Sequence, residues 1–186
     1  MNHLKVAIVS LFLALTSNTA VSETIRLEGE PMSVNIGYGI IINEGSSLQR
    51  EALIIQDERL PVRLTRFTVK TAFLERNWNY KIGYSVELDA PITAIEVRFI
   101  PFSIWGEKDI PLSGTTIEDI GAGKWAGSGS WRLSENDAVQ HYAMIGYIAQ
   151  VKTSDGQIIK ANPDLVVQAA QAFSGDFSTS DLKAGD

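Results

Sequence analysis

The chain holds two histidines and no cysteine, which narrows the chemistry open to it. His3 lies among the first residues, so the imidazole available to a folded domain is that of His141, at the start of "HYAMIGYIAQVK". A Ser-His-Asp relay would have to use it. The chain contains no G-x-S-x-G elbow, and "GSGSW" has the wrong spacing and lies between strands. His141 therefore reads as a structural histidine at a strand end. "SENDAVQH" sets Asp137 four residues before His141, on one helical face, with Glu135 or Asn136 as further oxygen donors. This is half a site at best, because zinc takes three or four protein ligands. Helix capping and solvated loop polarity account for the same residues. Neither a metal nor another cofactor is expected.

"GAGKW" has the look of a phosphate loop, but Glu118 stands at the required earlier glycine and Trp125 where Ser or Thr should follow the lysine. The acid pairs Asp57–Glu58 and Glu118–Asp119 fall in or near turns, where carboxylates cap backbone donors, and glycosidase chemistry needs two carboxyl groups facing across a cleft. No catalytic residue is assigned. Aromatic side chains are the remaining constellation: Trp78, Tyr80 and Tyr84 share one strand, Trp105 ends another, and Trp125 and Trp131 share a third. Such residues more often pack a core than form a sugar platform, because each buries a large apolar area. Trp105, Trp125 and Trp131 are the candidate contacts to a partner or ligand.

The elements that must position these residues are strands. "MSVNIGYGIII" alternates over Met32–Ile42 and reads as one half-buried strand. "LQREALIIQDERLP" stays open between a short helix and a short strand. "VRLTRFTVKTAFL" switches its inward parity near Phe67, which predicts a bulge or a strand passing between sheets. After the turn "ERN", "WNYKIGYSVEL" returns as the second arm of an antiparallel hairpin. "IEVRFIPFSIW" points Ile95, Val97 and Phe99 inward and Glu96 and Arg98 outward, then changes its apolar parity to Ile100, Phe102 and Ile104 beside Pro101. A bulged edge strand or one shared between sheets would place Phe99 and Phe102 in different layers. "HYAMIGYIAQVK" is apolar on both parities, as a central strand covered on both faces would be. "TSDGQ" is an Asp-Gly hairpin turn. Asn162 before Pro163 starts a helix over about 162–173, and 174–186 reads as a flexible polar tail.

Seven or eight short strands with few helical segments predict an all-β domain over 23–173, an antiparallel immunoglobulin-like β-sandwich with a short C-terminal α-helix. A small closed barrel is the competing arrangement, and parity does not separate the two.

The run from Ile95 to Trp131, with "IEVRFIPFSIWGE", a second strand ending in "IEDIGAGK" and a tryptophan-bearing strand after it, resembles bacterial exported immunoglobulin-like modules of the FxLYD type. "FSIWGE" stands near the aromatic signature of that family and "DIGAGK" near its loop, without the loop's proline. The resemblance implies a sandwich with packing and interaction roles and no catalytic residue.

Met1–Ser22 carries Lys5, the apolar run "VAIVSLFLAL" and a small-residue ending with Ala20 and Ser22, the pattern of a signal peptide cleaved after Ser22. With no cysteine there is no lipid anchor at that site and no disulfide framework. The mature 186 − 22 = 164 residues carry 15 Lys and Arg against 22 Asp and Glu, a formal charge of −7. Such a surface repels phosphate backbones and anionic lipids, so nucleic acid is not an expected partner and stable membrane insertion is not expected after cleavage. The expectation is a periplasmic or secreted, non-enzymatic module that binds another envelope protein through a sheet edge or an end loop. The alternative is a small-ligand or carbohydrate binder using surface aromatics.

Overall fold

Alternating apolar and polar residues build nearly all of the structure, a computed structural model that describes residues 34–36, 40–42 and 45–183. The expected signal peptide over 1–22 lies outside the described residues. Strands β1 (Val34–Ile36) and β2 (Ile40–Ile42) precede β3 (Ser47–Ile55), β4 (Val62–Leu74), β5 (Asn77–Leu88), β6 (Ile92–Ser103), β7 (Leu112–Ile120) and β8 (Gly123–Leu133). Helix α1 (Glu135–Gln140), strands β9 (His141–Thr153) and β10 (Ile158–Lys160), helix α2 (Pro163–Ala170) and a 3-10 turn (Thr179–Leu182) complete the order. No helix among the described residues is long and apolar enough to cross a membrane.

The all-β expectation holds; the two-sheet antiparallel sandwich does not. One mixed sheet in the order β7-β6-β9-β3-β4-β5-β8, with β10 added to β9, curls into a nearly closed barrel. Its neighbours are antiparallel except β3 and β9, which run parallel from Glu51 opposite Ala143 to Ile55 opposite Tyr147. Strand alternation is the same whether inward residues meet a second sheet or the far wall of their own, so parity alone does not specify the architecture. The expected single strand over Met32–Ile42 is also corrected. β1 and β2 are two strands that pair antiparallel with each other, Ile36 opposite Ile40.

β3 resolves the open helix-or-strand stretch as a strand and divides its partners. Ser47–Arg50 pairs with β4 and Glu51–Ile55 with β9, leaving the first half of β4 without a neighbour on that side. The Gln56 amide substitutes there: its Oε1 accepts from the Leu64 N–H at 2.9 Å and its Nε2 donates to the Val62 carbonyl at 3.2 Å. The parity change expected near Phe67 is a bulge in the β4–β5 ladder between Leu64 and Arg66.

β6 lies between β7 and β9, and Phe99 and Phe102 do face different layers. The cause is different from the one expected. The ladder to β9 runs unbroken from Phe99 opposite Gly146 to Phe102 opposite Ala143, so alternation passes straight through Pro101. What changes is the cover over the outer face. Phe99 enters the barrel core with Phe67 and Tyr84, while Ile100 and Phe102 meet Val166, Ala170 and Phe177 of the C-terminal segment outside it. Pro101 accepts from the Asp109 N–H, so its missing donor faces the side where β7 has already ended.

The Asn162 side chain caps α2 by accepting from the Asp164 N–H at 3.1 Å, with Pro163 in the first turn as expected. The helix ends at Ala170, and the segment expected as a flexible tail packs on the barrel through residue 183. Phe177 and Leu182 are buried, and Lys108 pairs with Asp176 at 3.5 Å and Asp181 at 3.0 Å. Two apolar anchors in a polar stretch hold a segment that its average composition marks as solvated.

Candidate functional site

Three places collect the residues that could carry function. The first is the meeting of β7 and β8, the two edges of the sheet, which follow one another in the chain through Gly121 and Ala122 yet share no backbone ladder. Side chains span the gap instead. The Tyr84 hydroxyl reaches from β5 toward Thr116 in β7. Its ring passes over Gly127, where a Cβ would fall inside the ring. Gly129 likewise leaves room for the Trp131 ring, which packs edge-on against Phe99 at 5.5 Å and lies against Gly114 of β7. The run "WAGSGSW" thus supplies two indoles and the two glycines that make space for rings between them. Trp125 tilts against Tyr84 at 6.0 Å. Trp125 and Trp131 are half-buried against the core, with their rings turned into the seam. Trp105 is separate from both, 71% exposed at the end of β6 beside exposed Ile104. The structure does not assemble the three tryptophans into one surface.

The second place surrounds His141. Its Nδ1 is hydrogen-bonded to the Tyr80 hydroxyl and its Nε2 lies 3.9 Å from an Asp109 carboxylate oxygen. Arg50 donates from Nε to Thr71 at 3.0 Å and from Nη2 to the Ala138 carbonyl, tying β3 to α1 across this end of the barrel. Burial pulls the imidazole below its ordinary value, against the opposing pull of Asp109 and Asp137, and burial pushes the Tyr80 phenol far up. A neutral imidazole bound to a buried phenol is a satisfied core pair. Asp137 serves α1 itself: its N–H donates to Ser134 at 3.1 Å, the cap that "SENDAVQ" spells. No group of three or more metal-ligating side chains occurs among the described residues. Asp57 is likewise a cap: it accepts from Arg59 and, at 2.7 Å, from the Asn162 N–H at the start of α2.

The third place is a cleft of about 340 Å³ on the outer face of β6 and β9, walled by β10, the start of α2 and the 3-10 turn. A bulge in the β6–β9 ladder at Glu96 skips Ala149 and turns Gln150 onto Glu96. Glu96 is buried and fully engaged. Arg98 Nε donates to it at 2.5 Å, Ser113 Oγ at 3.1 Å and Gln150 Nε2 at 2.7 Å. Burial alone would raise its pKa, but these three donors outweigh that and hold the carboxyl below its ordinary range. Arg98 is braced further by a 2.7 Å bond from Nη1 to the Leu182 carbonyl and by the nearby Tyr147 hydroxyl. Lys160 and Lys183 stand exposed on the same walls, and neither has an ion-pair partner among the described residues. Ala149, Ala161, Val166 and Leu182 supply apolar wall between them.

In the sequence Glu96 and Arg98 read only as outward residues of a strand, and Gln150, Lys160 and Lys183 do not stand out as site residues. A trace was there: two opposite charges alternate on the outer parity of "IEVRFIPF", and Gln150 interrupts the apolar run of β9.

No family model matches this chain, and no curated protein matches it. Among solved structures, a hypothetical protein from Peptoclostridium difficile 630 is similar at a TM-score of 0.44 and 8% identity, over 66% of this chain and 95% of that one.

Proposed function

We propose that this protein is an exported, non-enzymatic interaction module that receives an extended segment of another envelope protein along the β7–β8 seam. The observation that carries this is the pair of edge strands, β7 and β8, that close the sheet's two ends without sharing a ladder. An edge strand offers a row of backbone donors and acceptors, and strand addition is a recurrent way for a sheet to bind a peptide. β7 carries little to block such pairing at its centre: Thr115 and Thr116 are followed by Ile117, a β-branched residue 81% exposed. Export rests on the signal-like residues Met1–Ser22, and the non-enzymatic reading on the engagement of His141 and Glu96 in buried bonds.

The test is a photoreactive residue at Ile117 in cells, with the captured segment identified by mass spectrometry and then added as a peptide to the purified chain. Protection of β7 and β8 amides from hydrogen exchange by that peptide supports the reading. Capture without edge protection overturns the edge mode, and absence of a recurrent partner in the exported fraction overturns the module. A turnover that copurifies with the chain and disappears on one polar substitution overturns the non-enzymatic part.

A further inference from the structure

We infer that the cleft between β6, β9, β10 and the C-terminal segment binds a small organic anion, a carboxylate carried on an apolar body. The cleft walls hold three cations, Arg98, Lys160 and Lys183, against the single carboxylate of Glu96. Glu96 is already neutralised by Arg98, and Ser113 and Gln150 take two more of its roughly four lone-pair sites, so it has little left to offer either lysine. The cleft therefore carries an excess of positive charge on a chain whose net charge is −6.

Geometry adds direction. Arg98 is fixed by Glu96, by the Leu182 carbonyl and by the nearby Tyr147 hydroxyl, which holds the guanidinium at the cleft wall with part of its five-donor fork still free. A guanidinium held in place loses little freedom when it pairs with a carboxylate, and its planar fork suits that group. The volume of about 340 Å³ lies near the lower end for small-molecule sites, roughly 300–1,000 Å³. Between the charges, Ala149, Ala161, Val166 and Leu182 present apolar wall that inorganic phosphate would leave uncovered. A ligand with an anionic head toward Arg98 and the two lysines and an apolar body along this wall uses both halves. This site is separate from the β7–β8 seam and does not depend on the function proposed for it.

The probes are octanoate and benzoate, with 1-octanol and inorganic phosphate as controls, titrated into the purified chain with amide NMR and calorimetry as readouts. The variant is Lys160→Gln with Lys183→Gln, two exposed side chains without ion-pair partners among the described residues, so the fold is retained and circular dichroism checks it. Saturable carboxylate binding that shifts the Ala149, Ala161 and Val166 amides, and weakens about tenfold in the double variant, is the expected result. The inference is overturned by absence of saturation up to about 10 mM carboxylate. It is equally overturned by unchanged affinity in the variant, by 1-octanol binding as tightly at the same amides, or by phosphate matching octanoate.

Discussion

At Asp57, one carboxylate holds two parts of the chain that are distant in sequence. It accepts from Arg59 and from the Asn162 N–H, fixing the loop after β3 to the start of α2, and the Arg59 hydrogen bonds hold its pKa well below the ordinary carboxylate range. A depressed carboxylate contributes stability that is present above the unfolded pKa of about 3.9 and lost as pH falls toward the folded value. Glu96, also held low, acts in the same direction. Asp57→Asn is expected to cost about 1–3 kcal/mol at pH 7 and to flatten the loss of stability in acid below about pH 4, measured by urea denaturation across pH. His141 acts in a different window. Its folded pKa is lowered by burial, opposed by Asp109 and Asp137 and assisted by Arg50, so unfolding takes up a proton as pH falls through about 6.5 and stability falls with it. His141→Phe is expected to remove that slope between about pH 7 and 5. It also leaves the buried Tyr80 hydroxyl without its imidazole, a cost of about 1–3 kcal/mol readable in the same titration.

Among the elements, β8 shows why a glycine-rich stretch forms a strand. Its inward positions run Trp125, Gly127, Gly129, Trp131, because the rings of Tyr84 and Trp131 occupy the space where side chains at 127 and 129 would be. Gly127→Ala is expected to push Tyr84 away from Thr116 and to destabilise the domain by about 1–3 kcal/mol in thermal or chemical denaturation. Gly121→Ala, with open space at the β7–β8 turn, is the matched control and is expected to be neutral or to stabilise by about 0.4–1 kcal/mol. The β4–β5 hairpin carries the opposite defect. Its two turn residues, Glu75 and Arg76, both have positive φ, 51° and 61°, a conformation suited to Asn-Gly. Arg76→Gly is expected to raise stability by about 1 kcal/mol by relieving that strain, seen as a higher denaturation midpoint with an unchanged slope.

For the whole molecule, the barrel is strongest where strands are flanked on both sides and weakest at the seam. β6 and β9 are paired on two sides and covered inside by the core and outside by the C-terminal segment, while β7 and β8 are each paired on one side. Native-state hydrogen exchange is expected to be slowest in β6 and β9 and fastest in the outer halves of β7 and β8, and a uniform profile would contradict the open seam. The C-terminal segment belongs to this scale too. Truncation after Gln171 removes Phe177 and Leu182 from the outer layer, exposing Phe102 and Ile100, and is expected to lower thermal stability while opening the cleft.

Much of the local structure was legible in the chain itself, because hairpin turns, helix caps and period-two alternation are set by neighbouring residues. The β4–β5 hairpin, the bulge before Phe67, the Asp-Gly turn into β10 and the Asn162–Pro163 helix start all follow from such rules. The separation of Phe99 from Phe102 was legible as well, though its cause is the cover supplied by Phe177 and α2 rather than a break in the strand. Tertiary structure alone decided barrel over sandwich, through the parallel pairing of β3 with β9 across some 90 residues of chain. It also decided the cleft, because Glu96, Gln150, Lys160 and Lys183 come together only once β6, β9, β10 and the last turn are packed. Local rules carry no information about which distant strand supplies the facing wall, and that choice is made by burying every apolar face at once.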